Sequence, residues 1–150
     1  MNMQAHKVLM ICTNADLAGA PCHVRDLAIL MQQRGWEVNV VLGELGPIKE
    51  QLDQHRIGTH LVASMRSRIN LFNDIFAYIA VKKLVERLQP DIIHAHSSKA
   101  GMIGRIVGFL CSIPVVYTVH GWGFGPGRKK MTAFFVYVVE LLLARFKSEF

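Results

Sequence analysis

The chain has 150 residues, the length of one ordinary domain, and its 17 Lys and Arg against 11 Asp and Glu leave a net charge of +6 with the histidines neutral. With 51% hydrophobic and only 19% charged residues it holds ample apolar material for a core, which excludes intrinsic disorder, collagen-like structure and solvating tails. The mean hydropathy of +0.28 is high for a free-standing domain and points to apolar surface meant for a partner domain, a subunit or a lipid surface.

Strand and helix patterns alternate along the chain. The run Lys7-Val-Leu-Met-Ile-Cys12 is continuously apolar and ends in Thr-Asn-Ala-Asp, which suits a strand buried on both faces feeding a loop. From Pro21 to Gly35 the apolar positions Val24, Leu27, Ala28, Leu30 and Met31 recur at helical spacing, with Pro in the first turn and Gly as the stop. Residues 37–42 read as a second strand, 47–55 as a short helix and 59–63 as a third strand. Residues 71–88 form a long amphipathic pattern, with Phe72, Ile75, Phe76, Ile79, Leu84 and Leu88 as its apolar side and Lys82, Lys83, Glu86 and Arg87 as its polar one. Residues 91–96 are the fourth strand, 99–110 a glycine-containing helix, 114–119 the fifth strand and 131–146 a last, apolar helix. Such alternation predicts right-handed crossovers and a parallel α/β sheet with helices on both faces. Ligands bind such sheets beyond the carboxyl ends of the strands, so the functional loops are expected after Cys12, Leu42, His96 and Val119.

Cys12, Cys22 and Cys111 are odd in number and widely spaced, which leaves neither a disulfide framework nor a CxxC motif and fits a reducing, cytoplasmic compartment. The apolar run at residues 8–12 is too short for a signal peptide. The longest apolar stretch, residues 131–144, contains Glu140 and is shorter than the roughly 20 residues of a spanning helix, so it is expected to lie on a membrane at most. The chain ends at Phe150 without a capping glycine or polar tail, which leads us to expect a longer protein.

The loop after the first strand contains Gly19 alone, so neither a GxGxxG dinucleotide site nor a GxxxxGK[ST] phosphate loop is available. Gly19 either marks a turn or lets backbone N–H groups approach a phosphate beside the positive end of the first helix. His94 and His96, two apart on a strand, share a face. Either they begin a metal site, as in a metal-dependent hydrolase, or one is a core histidine and the other a loop-facing donor. No third or fourth ligand shows matching spacing, so no metal is expected. Ser97 and Ser98 are candidate caps of the following helix, and Lys99 stands in its first turn, where a cation opposes the helix dipole. That placement calls for a nearby anion or for full solvation.

The stretch His120-Gly-Trp-Gly-Phe-Gly-Pro-Gly127 holds four glycines and two aromatics without meeting GxGxxG. It suits either a loop that orders around a substrate, with Trp122 and Phe124 stacking on a sugar or lipid face, or an aromatic plug at the sheet end. His120, at the end of the fifth strand, is the residue best placed to meet reacting groups. Arg128-Lys-Lys130 beside the apolar helix suits an anionic lipid interface or packing against further protein. The cations are otherwise scattered, with no RNP, zinc-finger or basic-helix pattern, so nucleic acid is not an expected partner.

The segments Asp91-Ile-Ile-His-Ala-His-Ser-Ser-Lys-Ala-Gly101, Gly104-Arg105 and Pro114-Val-Val-Tyr-Thr-Val-His-Gly-Trp-Gly-Phe124 resemble the N-terminal half of family 4 glycosyltransferases of the two-domain GT-B type. Residues 14–27 are similar to that family's glycine-rich first loop, with Ala18 in place of its first glycine, Gly19 as its second, and His23-Val24 matching. The resemblance spans the whole chain. It implies that residues 1–150 are a Rossmann-like, acceptor-side domain lacking the last strand and the donor-binding C-terminal domain. The implied activity is transfer of a sugar, with retention, from a nucleotide-sugar donor to a glycan or lipid-linked acceptor in polysaccharide biosynthesis. No cofactor or metal is implied, and the 150 residues alone are expected to be inactive. By the same resemblance Gly19 and Ala20 approach the donor diphosphate, His120 is catalytic, and His23, Ser98, Lys99, Trp122 and Phe124 border the acceptor. The alternative is a non-catalytic acceptor-binding module that pairs with a separate catalytic half. A homodimer, through an unpaired sheet edge or the helix at 131–146, and peripheral attachment to the inner face of the cell membrane complete the expectations.

Overall fold

In the computed structural model, which describes residues 5–66, 71–120 and 130–143, strands and helices alternate as the apolar runs require. The order is β1 (Lys7–Cys12), α1 (Gly19–Gln33), β2 (Glu37–Leu42), α2 (Pro47–Gln54), β3 (Gly58–Leu61), a single 3-10 turn (Ala63–Met65), α3 (Leu71–Leu88), β4 (Ile92–His96), α4 (Ser98–Cys111), β5 (Val115–Thr118) and α5 (Lys130–Leu143). All strand pairings are parallel, and the five strands lie in the order β3-β2-β1-β4-β5. This is the Rossmann-like α/β sheet expected from the alternation.

Successive strand residues face opposite sides, so the sheet supports two cores. Val8, Met10, Cys12, Val40 and Leu42 pack with Val24 and Ala28 of α1 and with Ile48 and Leu52 of α2. On the other side Leu9, Ile11, Val41, Ile93 and Val115 meet α3 and α4. The close seat of α4 is made by glycines. A Cβ on Gly104 would lie 3.1 Å from the Ala95 Cβ, one on Gly101 2.4 Å from the Tyr117 ring, and one on Gly108 2.2 Å from Val115 Cγ2 and 2.8 Å from the Ile113 carbonyl oxygen.

Two expectations are corrected. Helix α1 begins at Gly19 rather than Pro21, because the Ala18 carbonyl accepts the Cys22 amide at 3.0 Å and Pro21 falls inside the first turn, where its missing N–H costs nothing. Helix α3 departs from the expected face in part: Leu84 and Leu88 pack against the core and Lys83, Glu86 and Arg87 are exposed as expected, but the remaining four apolar positions do not turn inward. Its buried line is Ala77, Val81 and Val85, while Phe72 (76% exposed), Ile75, Phe76 (63% exposed) and Ile79 face outward. The helix is apolar on both sides, and the smaller side chains take the inner position because they admit a closer approach to the sheet and α4.

Helix α5 is tied to α4 by a buried ion pair between Arg105 Nη2 and Glu140 Oε2 at 2.7 Å, with the guanidinium also 4.6 Å above the Tyr117 ring centroid and Nε donating to the Gly101 carbonyl. The polar interruption in an otherwise apolar helix is therefore an anchor. The outer side of α5 leaves Phe134, Tyr137, Leu141 and Leu142 exposed.

Replacing Gly108 by Ala should lower stability by about 1–3 kcal/mol, because the new methyl meets Val115 and a backbone carbonyl that have little room to move. Gly19→Ala, which meets no atom within 4 Å, should stay within about 0.5 kcal/mol of the parent. Urea midpoints at unchanged slope measure both, and a G108A midpoint equal to or above the parent's would contradict the packing described.

Candidate active site at the carboxyl ends of the strands

The strand order reverses between β1 and β4, since the chain leaves β1 toward β2 and leaves β4 toward β5. Loops diverge at such a switch point and leave a crevice beyond the strand ends. Thr13 Oγ1, just past β1, and Ser97 Oγ, just past β4, hydrogen-bond across it at 3.1 Å. The loop after β1 is braced by the loop after β2, with Ile48 N donating to the Ala15 carbonyl at 3.1 Å and Gly43 N to the Cys12 carbonyl at 3.2 Å. Gly43 and Gly46 allow this, because a Cβ at either would lie 2.4 Å from Thr13 O or 2.5 Å from Ala15 O.

Ser97 occupies the N-cap position of α4 at φ 81° and ψ 154°, a region that L residues rarely adopt. Its hydroxyl bonds Thr13 instead of capping the helix, which corrects the capping role expected for the Ser97-Ser98 pair. The strained turn sits where β4 delivers His96 to the crevice.

Four histidines from three segments meet there: His23 on α1, His94 and His96 on β4, and His120 just past β5. The ring centroids of His94 and His96 lie 4.1 Å apart and those of His96 and His120 5.3 Å apart. His23 stands 5.7 Å from His96 and 5.4 Å, edge-on, from His120. His94 Nε2 is 2.8 Å from Thr118 Oγ1, and His96 Nδ1 is 3.1 Å from His120 Nε2. Burial pushes His94 down to about 4, assisted by His23 and His120, and His96 down to about 3, assisted by its three neighbours. His120 is also lowered, by burial and by His23. At neutral pH His94, His96 and His120 therefore offer uncharged imidazoles. Among the described residues no group of three or more His, Cys, Asp and Glu side chains is placed to hold a metal ion. Cys12 lies buried with its thiol pushed up to about 11, chiefly by burial, and presents no thiolate.

Gly19 and Ala20 open α1 one turn before His23. Ala18, at the N-cap, has no capping side chain, and the space around Gly19 is open, so the first-turn amides are accessible to an anion at the positive helix end. The structure thus brings Gly19, Ala20, His23 and His120 to one side of the crevice. Ser98 and Lys99 are committed elsewhere. The Lys99 ammonium lies 2.7 Å from Asp74 Oδ1 of α3 and donates to the Arg66 carbonyl at 2.6 Å, both partners of the ion pair being nearly buried. The anion that its helix position called for is therefore Asp74. Ser98 hydrogen-bonds Tyr117, whose phenol is raised by burial and by Glu140, on the sheet face opposite the histidines. Trp122, Phe124, Arg128 and Lys129 lie outside the described residues. Thr13, Ser97 and Thr118 were missed as site residues; the strand order, which places the ends of β1, β4 and β5 side by side, is the signal that finds them.

A parallel sheet with a histidine cluster at its switch point defines a Rossmann-like α/β domain, and comparison with known proteins makes the class specific. Residues 18–147 match the family model described as a glycosyl transferase 4-like domain, and the chain belongs to that family. It is 32% identical over 117 residues to the UDP-Gal:alpha-D-GlcNAc-diphosphoundecaprenol alpha-1,3-galactosyltransferase of Escherichia coli, covering 77% of this chain and 30% of that protein. It is 27% identical over 92 residues to the capsular polysaccharide biosynthesis glycosyltransferase CapM of Staphylococcus aureus, covering 61% of this chain and 23% of the relative. Among solved structures, Anabaena HepE in complex with UDP and glucose superposes with a TM-score of 0.72 at 24% identity, over 95% of this chain and 37% of that one. MurG of Acinetobacter baumannii gives a TM-score of 0.65 at 16% identity, over 95% and 39% of the respective chains. The chain spans between 23% and 39% of the length of these relatives, less than half of each.

The neutral histidines make stability depend on pH in a defined direction. An unfolded histidine takes up its proton near 6.5, while folded His94 and His96 resist to about 4 and about 3. Between these values the unfolded chain binds more protons, so stability is full above pH 6.5 and falls as the pH drops toward 4. Asp26 and Asp53, held low by their hydrogen bonds to Arg25 and to Lys49, lose their contributions only below that window. Urea titrations at pH 7 and pH 4.5 should show His94→Gln losing less stability than the parent by on the order of 1–2 kcal/mol. Parallel losses would contradict a neutral, buried His94.

Proposed function

We propose that this chain is the acceptor-side half of a retaining glycosyltransferase that moves a sugar from a nucleotide-sugar donor to a glycan or lipid-linked acceptor. The observation that carries the reading is the convergence of His23, His96 and His120 beside the uncapped start of α1 at the switch point of the sheet. A diphosphate suits the amides of Gly19 and Ala20. A neutral imidazole at His120 suits a hydroxyl or phosphoryl oxygen without competing for the donor's charge, and His120 is the group that meets the reacting sugar. Lys99, paired with Asp74, and Ser98, bonded to Tyr117, stiffen the α3–α4 border of the domain, and Trp122 and Phe124 are proposed to contact the acceptor. No metal or cofactor takes part, and the nucleotide is held by protein outside these 150 residues.

A lipid-linked acceptor agrees with the surface. No helix among the described residues is long and apolar enough to cross a membrane. Helices α3 and α5, on the same sheet face, nevertheless expose Phe72, Ile75, Phe76 and Ile79, and Phe134, Tyr137, Leu141 and Leu142. With the net charge of +6, this face suits peripheral contact with an anionic inner membrane leaflet. The E. coli relative is named for a diphosphoundecaprenol-linked acceptor, which supports the same reading.

The test is sedimentation of the purified chain with anionic vesicles, with and without a polyprenyl-diphosphate-linked sugar, followed by addition of UDP-sugars. The chain should bind the vesicles in a salt-sensitive manner, since such attraction is screened within about 10 Å at 0.1 M salt. It should bind more tightly when the acceptor lipid is present, lose that increment in His120→Ala, and transfer no sugar. Sugar transfer by the chain alone, or identical binding to both kinds of vesicle, would overturn the proposal.

A further inference from the structure

We infer that His96 is a positioning residue: it donates its Nδ1–H to Nε2 of His120 and so holds His120 in the neutral tautomer whose proton is on Nδ1. His120 then presents an N–H donor, not a basic nitrogen, to the crevice. The identity of the oxygen it meets, a sugar hydroxyl or a phosphoryl oxygen, rests on the function proposed above; the tautomer does not.

The two nitrogens lie 3.1 Å apart, so one of them carries a shared proton. The direction is decided at the other end of the His96 ring. His96 is fully buried, and its Nε2 has no hydrogen-bond partner among the described residues. A proton on that nitrogen would create an orphaned buried N–H, a rarer and less tolerable arrangement than a bare acceptor. The proton therefore belongs on Nδ1, where it has His120 to receive it. His120 must accept through Nε2 and keeps its own proton on Nδ1, on a ring that is exposed at the end of β5.

The surroundings keep both rings neutral, which the assignment requires. The titratable groups that bear on His96 are His94 from its own strand, His23 from α1 and His120 itself, and His23 bears on His120. None of these is a carboxylate that would favour an imidazolium. His94, tilted against His96 with ring centroids 4.1 Å apart, has its Nε2 engaged by Thr118 Oγ1. Where many enzymes orient a histidine with a carboxylate, this chain uses a second, uncharged histidine, which fixes the tautomer without raising basicity.

Long-range 1H–15N correlation spectra of the histidine-labelled chain at pH 7.5 read the tautomer directly, with the His120 signals assigned by their loss in His120→Gln. The expected spectrum shows His120 protonated at Nδ1 and bare at Nε2. In His96→Leu, which removes the donor, His120 should shift to the Nε2–H form that free histidine favours. His96→Asn, whose side-chain amide occupies the Nδ1 position, should keep the Nδ1–H form. An Nε2–H His120 in the parent chain would overturn the inference, as would the same tautomer in the parent and H96L. If H96L fails to fold, the parent and H96N spectra decide alone. All are recorded without donor or acceptor, so absence of transferase function would leave the tautomer result standing, and the wrong tautomer would leave the acceptor-binding result standing.

Discussion

The site depends on one constraint, that every strand of the sheet runs the same way. Parallel strands joined by right-handed crossovers deliver all their following loops to a single edge. The order β3-β2-β1-β4-β5 then brings the ends of β1, β4 and β5 side by side, although β1 and β4 are separated by some eighty residues of chain. The hydrogen bond between Thr13 and Ser97 closes this junction, the unusual backbone of Ser97 turns the chain sharply into α4, and His96 and His120 reach each other across adjacent strand ends. Nothing local in the sequence creates the histidine cluster. The strand direction does.

Packing on the two sheet faces serves this edge differently. Helix α1 comes close through small and branched residues and carries His23 into the cluster. On the opposite face α4 sinks onto the sheet through Gly101, Gly104 and Gly108, and holds α3 and α5 by two nearly buried ion pairs, Lys99 with Asp74 and Arg105 with Glu140. Buried pairs of this kind contribute little net stability but penalise strongly any arrangement that separates the charges. They fix where α3 and α5 sit, and thereby which of their side chains remain outside. The result is a face rich in exposed aromatic and aliphatic side chains beside a polar, neutral crevice.

Much of the architecture was legible in the amino-acid sequence because both its signals are local. Continuous apolar runs such as residues 7–12 mark strands buried on two faces, and the Gln89-Pro90 break ends α3 as read. The position of His120 after a strand was legible for the same reason. The inward face of α3 was legible only at Leu84 and Leu88; for Phe72, Ile75, Phe76 and Ile79 it was not, because a helix apolar on both sides gives periodicity no means of choosing, and the choice falls to the volume available against α4. The destinations of Lys99 and Glu140 were illegible too: each pairs with a residue at least 25 positions away, and only the assembled helices bring them together. The neutrality of His94 and His96 follows from burial and mutual proximity, neither of which spacing on one strand reveals.

The central claim is that ligand binding occurs at the carboxyl edge, at the switch between β1 and β4. Its most direct test is chemical-shift mapping of the 15N-labelled chain during titration with a short-chain polyprenyl-diphosphate-linked sugar. Perturbations concentrated at Gly19, Ala20, His23, Ser97 and His120 are the expected result. Perturbations gathered instead at the opposite edge, around Gly35, Arg56 and Ser112, or an unchanged spectrum at high ligand concentration, would contradict it.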